Sequence, residues 1–139
     1  MGRITIAEME ELSQDLKWVV QLGIIIEAID DGSARLRLPA SPDVLRPGGT
    51  VSGPAMMTLA DYAMYAAVLG AIGRVELAVT TSLSINFLRK PPQADIVADC
   101  RLLKLGKRLA YGEVMLHSDA EPDAPVAHAT TTYSIPPNR

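Results

Sequence analysis

Between Ala55 and Leu69 the chain carries no glycine, no proline and a single charge, Asp61. A helix that is apolar on every face is buried on every face. An ionised carboxylate on it costs free energy unless it is paired, hydrogen-bonded or wet. Thr58 and Tyr65 lie at i−3 and i+4 from Asp61, so one polar stripe runs along the apolar helix and could meet a substrate held there. The run is preceded by a glycine-rich turn, Arg46 to Pro54. Pro54 suits a first-turn position, and Ser52 or Gly53 would be the N-cap. The free N–H groups and positive dipole end at such a turn can polarise a carbonyl or bind an anion. A carboxylate two turns further in is placed to act beside that end. The plainer alternative is a helix-edge carboxylate bonded to a neighbour and otherwise inert.

The elements that must position these groups follow from periodicity. Thr5 and Glu8 form a capping box for a helix over about Thr5–Leu22, with Met9, Leu12, Leu16, Val19 and Val20 on one stripe and Gly23 ending it. Strands over 24–29 and 33–38 flank Asp30-Asp31-Gly32, a hairpin signal. Residues 39–49 read as loop. The long helix ends at Gly70 and Gly73. Strands follow over 78–88, 96–105, 109–117 and 125–135, separated by Pro91-Pro92, Gly106 and a polar loop over 118–124. In the first of these, Val79, Thr81, Leu83, Ile85 and Phe87 alternate with Thr80, Ser82, Ser84 and Asn86. An antiparallel meander is the simplest way to join the last four strands. The expected fold is α+β, one buried helix wrapped by a curved antiparallel sheet of five to six strands, with an N-terminal cover helix over 1–22 belonging to the same domain as 23–139.

Composition narrows the function. The chain has 139 residues, enough for one domain with a real core. Aromatics make up only 4% against 48% hydrophobic residues, so the core is aliphatic and rich in Met and Ala. A net charge of −3 gives no basic field for nucleic acid. Cys100 is the one cysteine and cannot form an internal disulfide, which fits a reducing, cytoplasmic compartment. Residues 1–17 are acidic and do not read as a signal peptide. The 55–72 run approaches membrane-span length, but a central Asp costs about 3 kcal/mol on insertion scales, so no membrane span is expected. His117 and His128 stand on separate strands without Cys or Glu at ligand spacing, so no metal is expected. The first reads as a surface residue and the second as a paired interface residue. Cys100 reads as core, without an adjacent His to activate it. Met56, Met57 and Met64 read chiefly as packing.

Four motifs in order resemble a known family. Ser52-Gly53-Pro54 followed by Thr58-Leu59-Ala60-Asp61 is similar to an HGG…LAD helix start, including the spacing from first Gly to Asp. Ser84 to Arg89 resembles a strand ending NYLRP. Leu105 to Tyr111 resembles a GKRLA turn, and Val126 to Thr130 a final VAHAT strand. Over about residues 24–135 the chain resembles the hotdog-fold acyl-CoA thioesterases of the phenylacetate-pathway (PaaI-like) family. The resemblance implies hydrolysis of an acyl-CoA thioester, with coenzyme A as part of the substrate and no separate cofactor. It places the nucleophile or general base on Asp61 and the carbonyl-polarising backbone N–H on Gly53. Thr80 would help position the water. Gly and Asp of one site would come from opposite subunits.

Two departures stand out. Ser52 replaces the family His; it can hydrogen-bond a carbonyl but supplies no imidazolium. Arg46 stands where many members have Asn and could bind a substrate carboxylate or simply fill the pocket. Arg89, Lys90, Arg101, Lys104, Lys107 and Arg108 crowd into residues 89–108, opposed there only by Asp95 and Asp99. Arg101 and Lys104 read as a solvated strand edge. Arg89-Lys90 at a strand end and Lys107-Arg108 in a turn suit the phosphates of coenzyme A. A hotdog hydratase or dehydratase would need a His where Ser52 stands. A non-catalytic acyl-CoA-binding or regulatory protein would keep the basic patch and need no Asp61. Gly53 and Asp61 are about 12 Å apart along a helix, whereas reacting atoms must approach to about 3–3.5 Å. A homodimer with shared sites is therefore expected, with further assembly to a tetramer.

Overall fold

The apolar run is one 20-residue helix, and the sheet closes around it. A computed structural model describes residues 2–46 and 49–137, apart from the side chains of Asp43 and Arg46. In chain order the elements are α1 (Ile6–Ser13), α2 (Lys17–Leu22), β1 (Ile25–Asp30), β2 (Ser33–Leu38), a 3-10 turn (Pro42–Val44), β3 (Leu45–Arg46), β4 (Thr50–Val51), α3 (Gly53–Ile72), β5 (Val79–Phe87), β6 (Ile96–Leu105), β7 (Leu109–Ser118) and β8 (Glu121–Ser134). The main sheet has six strands in the order β1-β2-β6-β7-β8-β5, every pair antiparallel. This is the α+β hotdog arrangement expected from the sequence.

Packing of α3 on the sheet explains the small residues. Met64 and Leu69 are fully buried, as are the alanines at 60, 63, 66 and 67. A Cβ at Gly112 of β7 would lie 2.8 Å from Met64 Sδ, so glycine lets helix and sheet approach. Only a narrow stripe of the helix is not buried: Gly53, Pro54, Met57, Thr58 and Asp61 along its first turns, and Ile72 at its end. By length and composition α3 could cross a membrane, but most of it is buried inside the domain.

Several boundaries differ from the sequence reading. The N-terminal helix is two helices. The capping box at Thr5 and Glu8 is present, but Ser13 turns its hydroxyl back onto Met9 O (2.6 Å), and Leu16 leaves helical geometry (φ −103°, ψ 89°). Residues 39–49 are more than loop, holding the 3-10 turn and one strand of the small β3–β4 hairpin. Gly70 lies inside α3, which runs on to Ile72. The last strand begins at Glu121 rather than 125, so its turn is short.

The larger correction is topological. β6, β7 and β8 form the expected meander, but β5 pairs with β8 at the sheet edge and β6 pairs with β2. Pro91 and Pro92 lie in the connection that carries the chain from β5 at the sheet edge across to β6.

A Cβ at Gly70 would strike the Asp30 carbonyl oxygen and lie 2.9 Å from Ile29 Cγ2. Alanine normally improves a helix interior over glycine. Here overpacking dominates: Gly70→Ala lowers stability by about 1–3 kcal/mol, read as a lower urea midpoint at unchanged m-value.

Candidate active site

The start of α3 is specified by three adjacent residues. Ser52 is the N-cap (φ −70°, ψ 148°), and its Oγ accepts the Ala55 N–H at 3.2 Å. Its own N–H donates to Val44 O (2.7 Å), and its carbonyl accepts the Met56 N–H (3.2 Å). Pro54 has no N–H to offer. Of the first-turn donors, only the Gly53 N–H has no acceptor among the described residues. Gly53 lines a cleft of about 660 Å³ together with Pro54, Met56, Phe87, Arg89 and Lys90, among others. A Cβ at Gly53 would meet the Phe87 ring at 3.3 Å.

Asp61 lies two turns further along, on the part of α3 beside β5 and β8. Its Oδ1 accepts from Thr80 Oγ1 at 2.5 Å. The Tyr133 hydroxyl lies 2.9 Å from the same Oδ1 and 3.0 Å from the Asp61 carbonyl oxygen. Oδ2 has no hydrogen-bond partner among the described residues. Asp61 lines a second pocket of about 210 Å³, with Leu16, Trp18, Tyr65, Val79 and Tyr133 on its walls. Within one chain, the free N–H and the carboxylate therefore belong to two different cavities.

Thr80 reaches Asp61 through an irregularity in β5. Strict alternation puts Thr80 on the face opposite Leu83, Ile85 and Phe87. The register instead pairs Thr80 with Tyr133, Ser82 with Thr132 and Leu83 with Thr131, leaving Thr81 as an extra residue. That bulge turns Thr80 to the inner face. Bulges of this kind re-aim side chains beside active sites.

The remaining site residues fall into two groups. Thr58 spends its hydroxyl on Pro54 O (3.0 Å) and Tyr65 donates to Glu76 O (3.0 Å). The polar stripe exists, and of its three side chains only Asp61 keeps a polar atom without a hydrogen-bond partner among the described residues. Burial pushes the Tyr65 phenol up to about 12. The side chain of Arg46 lies outside the described residues. Arg89 and Lys90 border the larger cleft, with Arg89 Nε donating to Pro125 O (2.8 Å).

The six cations do not form one patch. Val79 pairs with Ser134, which also pairs with Leu109 next to Lys107 and Arg108. Phe87, next to Leu88 and Arg89, is at the other end of β5, about 27 Å away at 3.4 Å per residue. Lys107 and Arg108 thus share the Asp61 end of the sheet, and Arg89 and Lys90 share the Gly53 end. Arg101 pairs with Glu113 (2.8 Å) on the outer face. Both histidines also lie there. His128 Nε2 is 3.2 Å from Glu113, and the Glu113 carboxyl is held below its ordinary range chiefly by Arg101 and then by His128. His117 is half-buried rather than exposed, 3.9 Å from Asp99. Cys100 is core beside Met64, its thiol pushed up to about 12 by burial.

Sequence reasoning missed Tyr133, Trp18 and Phe87. A signal for Tyr133 exists: it shares the β8 face of Ala129, Thr131 and Ile135, and a buried tyrosine needs a partner for its hydroxyl. Trp18 packs edge-on against Tyr62, with ring centroids 5.7 Å apart.

Comparison with known proteins gives one consistent result. The profile of the thioesterase superfamily matches residues 48–124, more than half of the chain. A crystal structure of a protein from Silicibacter sp. TM1040, described as a thioesterase, superposes with a TM-score of 0.87 at 43% identity, covering 99% of this chain and 95% of that one. A Halobacterium salinarum protein named as an esterase is 32% identical over 111 residues, 73% of each chain. The phenylacetic acid degradation protein PaaI from Thermus thermophilus, a mutant structure, shares the fold with a TM-score of 0.76 at 24% identity, covering 86% of this chain and 99% of that one.

The cap at Ser52 can be separated from chemistry at Asp61. Ser52→Ala removes the acceptor for the Ala55 N–H and costs about 1 kcal/mol. For a domain of this size the melting temperature should fall by about 2–5 °C in a calorimetric scan.

Proposed function

The chain belongs to the thioesterase superfamily, and we propose that it hydrolyses an acyl-CoA thioester to free acid and CoA at a site shared by two copies of the chain. One observation carries the reading. A single buried helix holds both halves of an acyl-transfer site: an unspent N–H at Gly53 and, two turns on, a carboxylate with one unspent oxygen.

The Gly53 N–H donates to the thioester carbonyl oxygen and stabilises the oxyanion as it forms. One such donor is typically worth about 3 kcal/mol in the transition state. Asp61 Oδ2 takes a proton from water. The water oxygen bonds to the carbonyl carbon, the tetrahedral intermediate collapses, and the C–S bond breaks as CoA leaves as thiolate and is then protonated. Thr80 supports the base role over direct attack. Its proton is committed to Asp61 Oδ1, so its oxygen is left to accept from the water. The water then spends both hydrogens, on Oδ2 and Thr80, and presents a lone pair to the carbon.

About 12 Å along the helix separates Gly53 from Asp61, and the two line different cavities. An antiparallel copy of α3 across a two-fold axis closes that gap. The stripe of Pro54, Met57, Thr58 and Asp61 is the one side of the helix left open for it. The same rotation carries Lys107 and Arg108 of one chain toward Arg89 and Lys90 of the other. Cations from both chains then surround the mouth, as the phosphates of CoA require. Ser52, with its hydroxyl hydrogen uncommitted by capping, sits beside the carbonyl site.

Asp61→Asn keeps the shape of the side chain and should lower hydrolysis of a panel of acyl-CoA thioesters, followed by free-thiol release, by at least about a hundredfold. A folded variant within twofold of wild type would make Asp61 structural. Mixing Asp61→Asn with inactive Gly53→Val should restore activity on subunit exchange, because one site of the mixed dimer carries both defects and the other neither. Exchange seen by native mass spectrometry without recovery rules out the shared site. Lys107→Ala with Arg108→Ala should raise KM for CoA thioesters with a much smaller change in kcat, since contacts remote from the reacting carbon act as uniform binding.

A further inference from the structure

We propose that Tyr133 is a positioning residue for Asp61, forming with Thr80 a cross-strand fork that holds Oδ1 and leaves Oδ2 as the only working oxygen. The proposal rests on the reading of Asp61 as general base.

The two donors come from different strands that the sheet register sets opposite each other, Thr80 on β5 and Tyr133 on β8. Thr80 Oγ1 is 2.5 Å and Tyr133 Oη 2.9 Å from the same carboxylate oxygen. A carboxylate tethered by one donor can swing about its Cβ–Cγ bond. Two donors converging on one oxygen from separate strands fix that torsion, and with it the location of the other oxygen. Tyr133 Oη also lies 3.0 Å from the Asp61 carbonyl oxygen, so its one hydroxyl proton is shared between the helix backbone and Oδ1 and the hydroxyl is fixed relative to both.

The tyrosine is itself held. It is 3% exposed, and its ring stacks on Tyr65 with centroids 6.1 Å apart and planes 29° from parallel. Tyr65 in turn is anchored by its hydroxyl to Glu76 O. Burial first, and then the charge of Asp61, push the Tyr133 phenol well above the usual tyrosine range. It therefore stays protonated, and remains a donor, throughout the range in which a carboxylate base works. Packing alone would be met by phenylalanine, and the hydroxyl needs only one acceptor. Its placement between the backbone and the carboxylate oxygen that Thr80 also grips is what points to the reaction.

The test uses Tyr133→Phe, Thr80→Val and the double variant in the full-length protein, assayed by thiol release from an acyl-CoA that wild type hydrolyses. Asp61→Asn serves as the control for the underlying mechanism. Tyr133→Phe should lower kcat about ten- to a hundredfold, the scale of a misplaced catalytic group, with KM changed by less than twofold. Thr80→Ser should retain activity where Thr80→Val loses it. The double variant should lose less than the product of the single losses, because one fork serves one oxygen. A Tyr133→Phe kcat within twofold of wild type, with Asp61→Asn inactive, overturns the fork while sparing the base. An active Asp61→Asn instead overturns the base itself. If Tyr133→Phe does not fold, 3-fluorotyrosine at 133 keeps ring and hydroxyl but strengthens the donor. A change in kcat at constant KM then supports the fork, and an unchanged kcat overturns it.

Discussion

Burying a helix that has no polar face is the constraint on which the rest depends. A sheet with one solvated side cannot cover α3 unless it curves around it, and the six strands do so with small residues where the approach is tightest, at Gly70 on the helix and Gly112 on the sheet. A carboxylate on that helix must be satisfied by the surroundings, since the helix offers nothing. Asp61 sits at the edge of the buried surface and meets two hydroxyls there. A buried or half-buried carboxylate left without donors would cost several kcal/mol. The fit is incomplete in one respect: among the described residues, one oxygen has two hydrogen-bond partners and the other has none. The general base proposed for Asp61 uses that asymmetry, with one oxygen held and the other left for water.

The helix start shows the same partial satisfaction. Four backbone N–H groups are orphaned at the start of any α-helix. Here the side chain of Ser52, its carbonyl and the ring of Pro54 account for their neighbours, and the Gly53 N–H is left without an acceptor among the described residues. The absence of a side chain at Gly53 matters separately, because Phe87 lies where a Cβ would point. Ser-Gly-Pro thus performs three tasks in three residues: cap, open donor and helix start.

Much of this was legible because local rules decide it. The capping box at Thr5, the hairpin at Asp31-Gly32, the start of α3 and the loneliness of Asp61 depend on residues within a few positions of each other. What was not legible depends on pairing across long separations. The place of β5 beside β8 rather than β6 follows from which edge is available once β2 has taken β6, and no window of sequence contains that information. The bulge at Thr81 has the same character. Alternation in Thr80-Thr81-Ser82 is equally good in either phase, since all three side chains are small and polar, so the phase is set by Tyr133 and Thr132 some fifty residues away. Tyr133 escaped notice for the converse reason: it looks like ordinary core until its partner is known. The six cations misled because closeness in sequence between 89 and 108 hides a full strand length between the two ends of β6.

That last separation also bears on why the proposed site draws on two chains. The Gly53 end carries the donor, the wide cleft and Arg89-Lys90; the Asp61 end carries the carboxylate, the small pocket and Lys107-Arg108. Neither end is redundant with the other. A thioester of CoA has a reacting carbon, an acyl group to seat on one side of it, and phosphates far away on the other. No single end offers donor, base and acyl pocket together. A parallel pairing of two chains would bring like ends together and leave both sites incomplete. Only an antiparallel, two-fold pairing sets each donor against a base and each pair of cations against the other pair. The stripe along the first turns of α3 is the side of the helix that the sheet leaves uncovered, and β5 is an edge strand of the main sheet. The proposed shared site follows from the length of one helix, which sets its donor and its carboxylate about 12 Å apart.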